Sequence, residues 1–161
     1  MPDSLDPEKG DVIVAIGCDH AGREHKELFL KHLAGMKVKV LDVGVAPDVE
    51  KANYPDVAIK VAKLIQDGQA RFGVLICGTG VGMAMVANRF MGVRAANCPT
   101  ELVAVMARGH NDANILTIGQ RTIGPSLALA ILKTFLTTGF EAGRHQERIN
   151  LFEDIYGTKR S

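Results

Sequence analysis

The chain has 161 residues, 47% hydrophobic and 23% charged, enough for one sizeable core and too short for two ordinary domains. Lys plus Arg at 19 against Asp plus Glu at 18 leaves a net charge of +1 with no run of like charges, which excludes a broad basic surface for nucleic acid or anionic membrane. No apolar run nears the roughly 18 residues of a spanning helix, so no membrane role is expected.

Residues 1–11 are polar and acidic rather than basic then apolar, so they read as a flexible lead-in and not a secretory signal. Residues 12–161 read as a single domain. Within it, short Val- and Ile-rich runs alternate with amphipathic stretches, the pattern of an α/β fold with a parallel sheet covered by helices on both faces. Strands are expected at Val12–Gly17, Lys37–Val43, Gly73–Cys77, Val93–Asn97 and Ile115–Gly119, and a strand order of 2-1-3-4-5 would make the loops after the first and third strands neighbours. Helices are expected over Gly22–Ala34, Pro55–Gly68, Gly80–Phe90, Thr100–Arg108, Pro125–Thr138 and about Arg144–Tyr156, several opened by Pro or a Thr cap. Glycines gather where strands end, in loops that need close backbone approach.

Ligands in open α/β sheets bind beyond the carboxyl ends of the strands. There the first strand leads into Cys18, Asp19, His20, Ala21 and Gly22, and the third into Cys77, Gly78, Thr79, Gly80, Val81 and Gly82. The second loop can aim backbone N–H groups at an anion. It fails the dinucleotide fingerprint, with Met83 where a glycine is needed, and no P-loop lysine follows, so a tight turn that needs glycine for geometry alone is the competing reading. Cys77 would meet the positive end of the following helix, an arrangement that lowers a thiol pKa and makes a base or nucleophile. Cys18 and Cys98 read as packing. With three cysteines forming neither a disulfide framework nor a C-x-x-C pair, a reducing cytoplasm is expected.

Asp19 can be a loop cap and His20 a surface residue as readily as ligand contacts. Cys18 and His20 lack a second close pair, so no metal site is expected there, and His25 and His32 are read on a solvated helix face. His110, Asn111 and Asp112 fall between the fourth helix and fifth strand, at the opposite edge of the sheet from Cys77. A five-residue strand is roughly 17 Å long. His110 is therefore either an ordinary helix-end residue or the partner of Cys77 from another subunit. Arg144 and Arg148, four apart on one helical face, can clamp a phosphate or simply face solvent, and Arg121 can join them or be exposed.

GCDHAG at 17–22, YPD at 54–56, ICGTGVGM at 76–83, RGHNDANIL at 108–116 and GRHQERI at 143–149 together resemble ribose-5-phosphate isomerase of type B, within the sugar-phosphate isomerases that include galactose-6-phosphate isomerase. The likeness runs over about Val12 to Ile155. It implies a Rossmann-like α/β/α sandwich and a homodimer or dimer of dimers. It also implies cofactor-free, metal-free interconversion of ribose 5-phosphate and ribulose 5-phosphate, a reaction of the pentose phosphate pathway.

By the same resemblance Cys77 matches the proton-transfer base, His110 the ring-opening histidine, and Gly78 to Gly82 with Thr79 the anion hole for the enediolate. Asp19, His20, Tyr54, Gly80, Val81, Asn111, Arg121, Arg144 and Arg148 match substrate or phosphate contacts. Relatives that use a glutamate base carry it further along the glycine loop, where this chain has no acid. The chemistry agrees, because removing a proton beside a carbonyl needs a base poised near neutral pH and donors aimed at the developing charge. A six-carbon substrate such as allose 6-phosphate or galactose 6-phosphate needs only a roomier pocket. A non-enzymatic flavodoxin-like module fits less well, since a receiver would carry Asp at Cys77 and a flavodoxin a hydroxyl-rich first loop.

Overall fold

The computed structural model describes residues 12–36, 38–46 and 48–157. The lead-in at 1–11, and Lys37 as the expected start of the second strand, lie outside the described residues. The elements run β1 (Val12–Cys18), α1 (Arg23–Ala34), β2 (Val38–Asp42), α2 (Tyr54–Gln66), β3 (Phe72–Cys77), α3 (Val81–Ala87), β4 (Ala95–Asn97), α4 (Glu101–Asn111), β5 (Ile115–Gly119), α5 (Pro125–Thr137) and α6 (Arg144–Gly157). All strand pairs are parallel, so the α/β class and the layered sheet expected from the pattern are present.

The order of strands departs from expectation: it is 2-1-3-5-4, not 2-1-3-4-5. All five residues of β5 are buried, which suits a central strand, whereas β4 is three half-buried residues at the edge. Asn88 completes that edge, donating from Nδ2 to the Ala95 carbonyl at 2.8 Å and accepting from the Ala95 N–H at 2.7 Å. This is also why α3 stops at Ala87, short of the expected Phe90, since Asn88 is drawn to β4 and caps the helix end.

Alternation along the strands divides the interior into two clusters. Val14, Ile16, Cys18, Val74, Ile76 and Cys98 pack with Phe29 and Leu33 of α1 and Ile131, Leu132 and Phe135 of α5. Ala15, Leu75 and Cys77 face the other way, against Val57 and Val61 of α2 and Met83 of α3. Side chains one residue apart on a strand point to opposite faces, so the three cysteines fall on two sides of the sheet. Only Cys77 lies on the α2–α3 side.

Helix α4 runs to Asn111 rather than ending at Arg108, and it closes on Asp112, left-handed at φ 44°. His110 and Asn111 thus belong to its last turn and not to a linking loop. Arg108, 1% exposed, holds this end: it donates to Asp112 Oδ1 at 2.8 Å and to the Ala113 carbonyl at 2.7 Å, and lies over the rings of Phe72 and Phe135 at 5.0 and 5.8 Å. Asp112 also receives Arg94 at 2.7 Å, and Arg94 reaches Glu153 of α6 at 3.0 Å. Arg108→Ala removes a large buried side chain and leaves Asp112 with one partner fewer, so it should cost about 2–4 kcal/mol. Chemical denaturation measures this; a loss under 1 kcal/mol would show that the end of α4 is held by other contacts.

Candidate active site

At the carboxyl edge of the sheet three loops close on one another. The Asp19 N–H donates to the Ile76 carbonyl at 3.2 Å, the Gln120 N–H to Cys77 at 2.9 Å and the Arg121 N–H to Gly78 at 3.0 Å. The approach leaves no room for side chains: a Cβ at Gly22 would lie 2.6 Å from the Ile76 oxygen, and one at Gly119 would lie 2.6 Å from the Thr79 Cα. The β5 position between β3 and β4 is what brings Gly119 opposite Cys77.

Cys77 ends β3 and is 6% exposed, with the Gly80 N–H directed to its sulfur at 3.1 Å. Gly80 is left-handed at φ 80°, and this bend turns its amide back toward the thiol. Thr79 is exposed, and its hydroxyl accepts from the Val81 N–H at 3.4 Å. Gly82 lies so close to Tyr54 that a Cβ there would be 2.7 Å from the phenol ring, so Tyr54 roofs the first turn of α3. The buried Asp19 carboxylate accepts the Ala21 N–H at 2.8 Å, and exposed His20 accepts the Ala52 N–H on Nδ1 at 3.5 Å. Arg121 runs alongside Gly78, 3.5 Å from where a Cβ there would stand, so in this chain it belongs to the Cys77 end rather than with Arg144 and Arg148.

The other two thiols are in different surroundings. Burial pushes the Cys98 thiol up to about 12 and raises that of Cys18 as well, which fits their expected packing role. His25 is not on a solvated face: it is buried, and Nε2 meets the Ile123 carbonyl at 2.8 Å, tying α1 to the loop after β5.

A second group of expected site residues sits at the opposite end of β5. His110 stacks on His145 with ring centroids 4.1 Å apart and planes 9° from parallel. Exposed Glu141 stands 3.6 Å from His110 Nε2 and 3.7 Å from His145 Nε2. Arg144 and Arg148 flank His145 in α6, both exposed. Asn111 lines a cavity of about 360 Å³ with Arg94, Phe152 and Glu153. Within one chain, then, Cys77, Thr79, Asp19, His20, Tyr54 and Arg121 gather at one edge, and His110, Asn111, Arg144 and Arg148 at the other. Three neighbours were not anticipated. Glu141 and His145 were legible only as an i,i+4 pair beside the two arginines, and Asn97, whose Nδ2 donates to the Thr79 carbonyl at 3.4 Å, had no motif of its own.

Such a fold, with a thiol under a glycine loop and a histidine–arginine group on one sheet, defines an α/β enzyme rather than a receiver or a flavin carrier. The chain matches the family described as Ribose/Galactose Isomerase over residues 14–152. It is 42% identical over 142 residues to "Ribose-5-P isomerase B" of Listeria innocua, covering 88% of this chain and 95% of that protein. Among solved structures, ribose-5-phosphate isomerase B of Clostridium thermocellum superposes with a TM-score of 0.88 at 39% identity, covering 91% of this chain and 98% of that one. That of Mycoplasma genitalium with bound ribulose-5-phosphate also gives 0.88, at 36% identity, covering 92% and 98%. The chain belongs to the ribose/galactose isomerase family and is an isomerase.

His145 carries a pH signature. Its imidazole is held below the ordinary histidine value, first by burial, then by the positive charges of His110 and Arg144, with Glu141 opposing. Below about pH 6.5 the unfolded chain therefore binds more protons at this residue than the folded one. Its contribution to stability is complete above that value and is lost as pH falls. Melting curves from pH 5 to 7.5 should show a shallower acid-side fall in Tm for His145→Gln; an identical slope would mean that other groups set it.

Proposed function

We propose that the protein interconverts ribose 5-phosphate and ribulose 5-phosphate through an enediolate, with Cys77 as the base. The observation that carries this reading is the Gly80 N–H directed to Cys77 Sγ at 3.1 Å. The thiolate takes the proton from C2 of the open-chain aldose and returns it to C1, while the C2 hydroxyl gives up its proton and the C1 oxygen gains one, leaving the carbonyl at C2. The charge that appears on the C1 oxygen is met by N–H groups of Gly78 to Gly82 and by Thr79. Asp19, His20, Tyr54 and Arg121 hold the sugar. Listeria and Clostridium relatives of similar length bear the ribose-5-phosphate isomerase name, which supports the five-carbon substrate over a six-carbon one.

Before isomerisation the furanose must open, which requires a proton at the ring oxygen, and an imidazole titrating near neutrality suits that step. In this reading His110 does so in the site of a partner subunit. Five residues of β5 separate its end of the sheet from that of Cys77, roughly 17 Å, a gap no side chain spans. A two-fold dimer placing one subunit's lower edge on its partner's upper edge would make two composite sites. Asn111, Arg144 and Arg148 of that edge then hold the phosphate, remote from the reacting carbons. The dimer, the single domain over residues 12–161 and a cytoplasmic setting belong to the same proposal. Three free thiols support the last, and among the described residues no helix is long and apolar enough to cross a membrane.

Ketose formation from ribose 5-phosphate, followed by NMR beside allose 6-phosphate and galactose 6-phosphate, tests the substrate. Cys77→Ala should lose ~10²–10⁴-fold in kcat with the fold intact; near-normal turnover would remove Cys77 as the base.

The shared site has its own test. Homodimers of Cys77→Ala and of His110→Ala should each be nearly inactive. Reassembly of a mixture should restore turnover, because a heterodimer keeps one site with both residues. Co-assembly confirmed by differently tagged chains, with no activity returning, would place His110 outside the reaction or within its own chain.

A further inference from the structure

Glu141, His145 and His110 converge without hydrogen-bonding one another. The carboxylate oxygen stands 3.6 and 3.7 Å from the two Nε2 atoms, and the three ligand atoms lie within 4.8 Å of each other. Tetrahedral coordination at 2.0–2.1 Å separates neighbouring ligand atoms by about 3.4 Å, so the oxygen-to-nitrogen spacings need close by only a few tenths of an ångström. We propose that His110, Glu141 and His145 form a binding site for a divalent cation of the zinc class, and that its occupancy inhibits the enzyme. The inhibitory half rests on the reading of His110 given above; the binding half does not.

The backbone holds the three residues together. The Glu141 N–H donates to the Gly109 carbonyl at 3.0 Å, fixing Glu141 to the residue before His110. Ala142 and Gly143 are both left-handed, at φ 55° and 56°, and the turn they make carries the chain from Glu141 into α6, with the His145 N–H donating to the Ala142 carbonyl at 3.1 Å. An alanine in that region costs about 1 kcal/mol, and here the bend brings an acid and a second imidazole to the first. Two imidazoles, one carboxylate and an open fourth position for water form a donor set characteristic of zinc and unlike the all-oxygen sets of magnesium or calcium.

One adjustment is needed. Parallel rings cannot both direct in-plane lone pairs at a single ion, so the stacked imidazoles must splay by rotation about χ2, a soft torsion in histidine. Exposed Glu141 can follow. Arg144 and Arg148 flank His145 and oppose a dication, which sets the affinity below that of a buried structural zinc site. A bound ion occupies the lone pair of His110 Nε2 and denies that atom its proton transfer.

Equilibrium dialysis of the full, chelator-stripped chain against zinc chloride alone tests the site without reference to turnover. Wild type should hold one zinc per chain, and Cys77→Ala should do the same, which separates the cluster from the active thiol. Glu141→Gln and His145→Gln should bind about tenfold or more weakly. Because Glu141 is exposed, its variant keeps the test valid even if His145→Gln misfolds by circular dichroism. Zinc should also suppress ribose 5-phosphate turnover reversibly with a chelator, and Glu141→Gln should need about tenfold more zinc for the same suppression of its own turnover. Absence of stoichiometric zinc, or equal binding by Glu141→Gln and wild type, overturns the site and leaves the isomerase reading standing. Zinc binding of the expected pattern in a protein that does not isomerise ribose 5-phosphate supports the site and strikes the functional reading instead.

Discussion

Every strand of this sheet runs the same way, and that polarity governs the arrangement of the chemistry. A residue that follows a parallel strand emerges at one edge, and a residue that precedes one emerges at the other. Cys77 ends β3, His110 precedes β5, and β3 and β5 are direct neighbours in register. The two ends are thus fixed apart by the length of a strand while being aligned laterally. The proposed composite site starts from this separation, with the thiol of one chain set against the imidazole of another.

Strand alternation makes the second selection. Three thiols are buried in one small chain, yet Cys18 and Cys98 lie among the aliphatic residues under α1 and α5, where burial disfavours a charged sulfur. Cys77 points to the other face and meets the amide of Gly80. The glycines around it act by what they omit. At Gly22, Gly82 and Gly119 a single added carbon would collide with Ile76, Tyr54 or Thr79, so the compactness of the loops depends on bare backbone.

The opposite edge is held by charge rather than by close packing of backbone. Asp112, at the left-handed end of α4, joins Arg108 from inside the core to Arg94 before β4, and Arg94 reaches on to Glu153. This network fixes both α4 and α6, the two helices that carry His110 and His145. The left-handed turn at Ala142 and Gly143 then sets the second imidazole on the first. Burial and the neighbouring positive charges favour the neutral form of His145, the state in which an imidazole can accept a proton or hold a metal ion.

Much of this fold is legible in the sequence alone. Val- and Ile-rich runs alternating with amphipathic stretches specified the α/β class and each of the five strands to within a residue or two, because the hydrophobic period is a local property of the chain. The glycine loop after Cys77 and the paired Arg144 and Arg148 were readable for the same reason. What the sequence could not state was the lateral order of β4 and β5. That depends on how much of each strand the helices bury, and a fully buried ILTIG displaced the short AAN to the edge. Nor could it show that His25 turns inward to Ile123, or that Glu141 and His145 gather on His110. Those contacts join residues more than thirty positions apart, and only the packing of α1 and α6 against the rest of the fold brings them into reach.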